Sequence, residues 1–215
     1  MASARAVALG FSVHTGWAVL VAVSRSASSI EVVDRRRVEM MPVVAQDRPP
    51  YVFHAARELP LEAAGRLVQA TEEHARSRAL EELRAAVEEL HRAGYQVTGS
   101  AIITSRHAPP SSLESILRSH ASIHAAEGAL YRTVIRSASE ELGLAVLQVP
   151  AGELVQRAAQ ALGLSPAKVP EFLARAGRDV GPPWTADQKA ASLAALLALQ
   201  LSTAPLSAGG TAPPR

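Results

Sequence analysis

Ser12 and His14 stand two residues apart in Leu-Gly-Phe-Ser-Val-His-Thr-Gly-Trp-Ala-Val-Leu (9–20), a stretch that reads as a strand, a tight Thr15-Gly16 turn and a second strand. Strand geometry puts both side chains on one face. A hydroxyl and an imidazole can share protons or bind a phosphate, but neither holds Mg²⁺ as a carboxylate does, because hard cations select charged oxygens. Farther along, His120 and His124 are four residues apart with Glu127 one turn on, a spacing that lets all three share a helix face. Imidazoles at i and i+4 are a metal-ligand spacing. With His14 and His107 they make the candidate metal-binding set, although no His-Glu-x-x-His accompanies them. A histidine pair on a helix is more often structural, so the bland reading is ordinary hydrogen bonding over the end of a sheet.

Arginines form the second group. Arg35, Arg36 and Arg37 are consecutive, Arg25 and Arg106 are separate, and Arg118, Arg132 and Arg136 fall on a long helical segment. Each set is a candidate for phosphate contact. A basic run on an outer strand equally serves as a solvated edge that resists aggregation, and that reading is favoured for Arg35–Arg37. The formal net charge of +2 is too small to steer nucleic acid by itself. Aromatics make up 4% of the chain, so no stacking platform for single strands is visible. The absence of cysteine excludes disulfides, thiolate catalysis and Cys-ligated zinc. No apolar run is long enough to span a bilayer and the N-terminus lacks a signal-peptide layout, so the expectation is a cytoplasmic protein without membrane contact.

The elements that must position these residues read as follows. Strands are expected over Ala6–Ser12, Trp17–Ser24 and Ile30–Met40, the third near a sheet edge, and together they make a meander. Pro42–Pro60 is a proline-rich loop in which Tyr51 and Phe53 look like an anchor. A helix follows over Leu61–Ala93, stopped by Gly94, then a strand over Gln96–Ser105. Ser112 is placed to cap one long helix, Leu113–Leu142, ended by Gly143. Leu144–Val149 is a fifth strand, Glu153–Leu162 a short helix, and a further helix starts at Ser165-Pro166. Thr185 caps a last helix, Ala186–Leu201, which is apolar enough to be buried or to form a dimer seam, with burial favoured. The reading is one domain over 1–201 and a disordered tail over 202–215.

This order, with an α/β mixed five-stranded sheet of three antiparallel strands and then two parallel ones, resembles the ribonuclease H-like fold and its Holliday-junction resolvase (RuvC) branch. Ala8–Val19 resembles that family's first hairpin, Leu144–Val155 the passage from fifth strand to helix, and Ala190–Leu196 the alanine-rich last helix. The resemblance implies a set of carboxylates holding two divalent cations that activate water against a phosphodiester. At the matching positions this chain has Ser12, Thr104 or Ser105, and Ser192. Asp187 and Glu127 are the substitutes on offer, and Asp187 falls close to the helix start. A phosphate-binding hairpin of the sugar kinase and actin type is set aside, because the chain lacks a second comparable lobe.

Two functions follow. One is a non-catalytic, degenerate resolvase-like module with a binding or scaffolding role, with nucleic acid as the implied partner, a homodimer open and no cofactor required. The other is a metal-dependent nuclease on branched or structured DNA or RNA, using Mg²⁺ or Mn²⁺ with ligands relocated to His14, His107, His120, His124, Glu127 or Asp187.

Overall fold

The structure is a computed structural model that describes residues 4–25, 29–41, 49–105 and 108–203, the last three by backbone alone. Five strands, β1 (Arg5–His14), β2 (Trp17–Arg25), β3 (Ile30–Glu39), β4 (Tyr95–Thr104) and β5 (Val146–Pro150), form one sheet in the order β3-β2-β1-β4-β5. β1 pairs antiparallel with β2 and β2 with β3, whereas β4 runs parallel to both β1 and β5. This is the mixed α/β sheet expected from the sequence, three antiparallel strands followed by two parallel ones.

Alternation along the strands divides the core in two. Val7, Leu9 and Phe11 of β1, with Leu20 and Ile102, face a layer of helices made by α1 (Val52–Ala56), α2 (Leu61–Arg92), α3 (Leu113–Leu117) and α4 (His120–Glu141). Ala8, Val21, Val23 and Ala101 face the other layer, made by α5 (Leu154–Leu162), α6 (Val169–Val180) and α7 (Ala186–Thr203). The hairpin closes on Gly16, whose φ of 83° suits a residue without Cβ, and the Gly16 carbonyl accepts from the amides of Met40 and Met41 at 2.9 Å each.

α7 lies directly on β1. A Cβ at Gly10 would stand 1.9 Å from the Ala191 carbonyl oxygen and 2.6 Å from the Ala195 amide nitrogen, so the helix backbone occupies the side-chain position. Ala191 through Leu199 are all buried, so α7's apolar surface is used within the chain, and an interface between copies would have to use another surface. No helix among the described residues is long and apolar enough to cross a membrane.

Two expectations change. The single helix over Leu113–Leu142 is two helices, broken at Arg118 and Ser119, because Ser119 turns extended and its hydroxyl caps α4 by accepting from the Ser122 amide. Ser112 caps α3 as expected, accepting from the Ser115 amide at 3.2 Å. The proline-rich loop contains α1, with Val52 and Phe53 buried. The tail beyond Thr203 and residues 26–28 and 42–48 lie outside the described residues.

Replacing Gly10 with valine forces the α7 backbone off the sheet. We expect a loss of about 1–3 kcal/mol or more, read as a lower urea midpoint for G10V; an unchanged midpoint would contradict the close approach.

Candidate functional site

The register set at Gly10 carries a carboxylate to the end of β1. Two residues along the strand cover about 6.6 Å and one turn back along the helix about 6 Å, so Asp187 arrives over Ser12. The Ser12 hydroxyl donates to Asp187 Oδ1 at 2.7 Å, and His14 Nε2 lies 3.0 Å from the same oxygen. Asp187 stays at this height because α7 starts in a capping box: the Thr185 hydroxyl accepts from the Gln188 amide at 3.2 Å, and Gln188 Oε1 accepts from the Thr185 amide at 3.0 Å. Asp187 therefore sits in the first turn, where the helix dipole favours negative charge. His14 also stacks on Trp17, with centroids 4.1 Å apart and planes 9° from parallel. The Arg37 guanidinium lies over the same ring at 3.9 Å. Two groups so close to one centroid must occupy opposite faces, so Trp17 is sandwiched between them.

Ser192 does not join this cluster. Its hydroxyl donates back to the Gln188 carbonyl at 2.8 Å and it is fully buried. Five residues of helix rotate it about 140° away from Asp187, which explains why the earlier residue, rather than the aligned one, meets Ser12.

Thr104 and Ser105 end β4 beside a cavity of about 320 Å³, lined also by Arg132, Thr133, Arg136 and Gln148. Arg132 Nη2 donates to the Ser105 hydroxyl at 3.2 Å, and burial pulls the Arg132 pKa below its ordinary value. Of the arginines singled out from the sequence, these two gather with Thr104 and Ser105. Arg118 is exposed and pairs with Glu114. Arg106 and His107 lie outside the described residues.

The Arg35–Arg37 run has structural work on the edge strand β3. Arg35 donates to the carbonyls of Val180, Gly181, Pro182 and Pro183, fastening the connection between α6 and α7 to the sheet. Arg36 bridges Asp34 at 2.6 Å and Glu89 at 2.5 Å; its hydrogen bond, and then its charge, hold the Glu89 carboxyl below its usual value. Arg37 pairs with Glu39 and stacks on Trp17.

On the opposite face of the sheet a second cluster forms. His120 and His124 meet with Nε2 atoms 2.9 Å apart. His54 of α1, which does not stand out in the sequence, joins them edge-on, with centroids 5.2 and 4.8 Å away. Its Nδ1 lies 2.8 Å from Glu127 Oε1, and the Glu127 side chain is 1% exposed. One ring nitrogen from each histidine lies within 4.8 Å of the others. Glu127 thus supports His54 and does not approach Asp187, and His14 belongs with Ser12 instead of with this trio. No spacing signal marks His54; only the packing of α1 against α4 brings it in. The Tyr131 hydroxyl fixes that packing by donating to the Pro50 carbonyl at 2.7 Å. Burial, and then the Glu127 charge, raise the Tyr131 pKa well above that of a free phenol.

No family model matches this chain, and no curated protein does. Among solved structures, it is similar to T. thermophilus RuvC in complex with a Holliday junction substrate, with 14% identity, 89% of this chain and 91% of that chain covered, and a TM-score of 0.49. A second Thermus thermophilus RuvC structure is similar at 14% identity, 91% and 95% coverage, and a TM-score of 0.48.

Removing the Tyr131 hydroxyl by Y131F is expected to cost about 0.5–1.5 kcal/mol at neutral pH. Because the folded-state pKa is raised, the stability the neutral phenol provides is complete below pH about 10 and drains as the unfolded chain ionises above it. Urea midpoints measured from pH 8 to 11 should fall more steeply for wild type than for Y131F; parallel curves would refute this.

Proposed function

We propose that this chain is a nucleic-acid-binding module on a ribonuclease H-like scaffold that does not cleave its ligand. The observation that carries the reading is the Ser12–Asp187–His14 cluster. Where the resolvase resemblance calls for the first acid, a hydroxyl donates to the cluster's single carboxylate, and an imidazole engages the same oxygen. The positions matching the other acids are Thr104, Ser105 and Ser192. Two divalent cations need several charged oxygens between them, and one carboxylate already held by two neighbours does not supply that set.

Binding is supported by the cavity at the ends of β4 and β5. It combines two guanidiniums, Arg132 and Arg136, with the hydroxyl residues Thr104, Ser105 and Thr133. Planar guanidiniums match phosphate oxygens, and hydroxyls complete the coordination of a backbone phosphate without reading sequence. The half-buried Arg132 is already oriented by Ser105, so less side-chain freedom is lost on contact.

A second reading, a metal-dependent nuclease with relocated ligands, draws on Asp187 and His14 standing together. It loses the support of His120, His124 and Glu127, because α4, which carries all three, belongs to the layer on the other face of the sheet.

The test is titration of the untagged chain into labelled four-way-junction and linear DNA, with and without Mg²⁺ or Mn²⁺. We expect binding that weakens with salt and no cleavage. R132A/R136A should bind several-fold more weakly and lower the salt slope by about 2, one for each guanidinium withdrawn from a phosphate. Cleavage that D187N abolishes would overturn the reading in favour of the nuclease. An absence of binding at low salt would remove nucleic acid altogether.

A further inference from the structure

We propose that His54, His120 and His124 form a binding site for a transition-metal dication of the Zn²⁺ class, with Glu127 as the residue that positions His54. Its ligands are not among the residues of the nucleic-acid reading, and it stands whether or not that reading holds.

Three observations carry it. First, three imidazoles from two helices converge: the rings meet edge-on, and one nitrogen of each lies within 4.8 Å of the others. Nitrogens sharing a tetrahedral Zn²⁺ at about 2.05 Å stand about 3.3 Å apart, so the 2.9 Å between His120 and His124 needs only a few tenths of an ångström of adjustment. Their Nε2 atoms point at each other, an arrangement that needs a proton or a cation between the two lone pairs.

Second, the support behind the ligands is present. Glu127 Oε1 accepts from His54 Nδ1 at 2.8 Å, which fixes the tautomer and leaves Nε2 free to bind. A carboxylate behind a histidine in this way holds the ring in place.

Third, Glu127 is almost fully buried and its second oxygen, Oε2, has no hydrogen-bond partner among the described residues. A buried carboxylate so poorly matched is costly unless a positive charge compensates it. A cation bound through His54 supplies that charge.

The ligand set selects the metal. Imidazole nitrogens suit Zn²⁺, Cu²⁺, Ni²⁺ and Co²⁺, whereas Mg²⁺ and Ca²⁺ prefer oxygens. Three protein ligands leave a fourth position open. His124 also lines a cavity of about 580 Å³ together with Ser105, Gly128 and Arg132, which gives solvent or a small anion a way to that position. Because the ligands come from α1 and α4, the ion also ties the two helices together.

The test uses the untagged full chain, stripped with a chelator and titrated with Zn²⁺ by calorimetry and with Co²⁺ by visible absorption. Expected are one saturable ion per chain, tetrahedral Co²⁺ bands, a rise in Tm with Zn²⁺, and no competition from excess Mg²⁺. H120A/H124A, whose changed residues are exposed, should keep the fold by circular dichroism and lose saturable binding. E127Q should bind about 10- to 100-fold more weakly, and D187N, on the other face, as well as wild type. Saturable binding that survives in H120A/H124A, or none in wild type, would overturn the proposal.

Discussion

The contact on which this molecule depends is that of the α7 backbone with Gly10. No side chain intervenes between helix and strand, and the Ala191 carbonyl occupies the space a Cβ would take. So close an approach fixes the height and rotation of the helix together. The small residues Ala191, Ala194, Ala195 and Ala198 are what allow it, and all are buried. The alanine-rich character of α7 is thus a packing requirement. Because two strand residues and four helix residues advance by nearly the same length, the contact at Gly10 also determines what stands above Ser12.

That dependence marks where the sequence could be read and where it could not. The hairpin, the edge character of β3 and the helix stops at Gly94 and Gly143 are local, periodic features, and all appear in the structure. The break before α4 was hidden because apolar spacing continues across it, through Ile116 and Ile123, and a serine between them looks like surface. The choice between Asp187 and Ser192 depends on helix phase, which is set by a contact nearly the whole chain length away. His54 lay in a proline-rich stretch, and nothing in its neighbourhood marks it as the third of a trio whose other members belong to α4. The missing signals are long-range, and periodicity does not carry them.

α4 shows how one helix serves two surfaces. His120, His124, Gly128, Arg132 and Arg136 recur every fourth residue, and each step turns the stripe by about 40°. The imidazoles at the start and Arg136 well along the helix therefore face different directions. Gly128 matters in the middle: a Cβ there would meet the Arg132 guanidinium at 3.0 Å, so the arginine lies back over a bare stretch of helix. From that position Arg132 lines both cavities, one with His124 and one with Arg136. The guanidinium is the physical link between the histidine cluster and the ends of β4 and β5.

The two carboxylates brought out by the structure differ in what they still need. Asp187 is about a third exposed, receives a hydroxyl and faces an imidazole, and sits at a helix start that favours its charge. Its requirements are met by the chain itself. Glu127 is buried, raises the pKa of its neighbour Tyr131 through its charge, and has one oxygen unmatched among the described residues. Its one polar side-chain partner there is His54, which holds two further imidazoles against its outer edge. A charge buried without full compensation asks for a cation, and the imidazoles are the groups that can deliver one. On the α7 face of the sheet the electrostatics are already settled. The unsettled charge is on the other face.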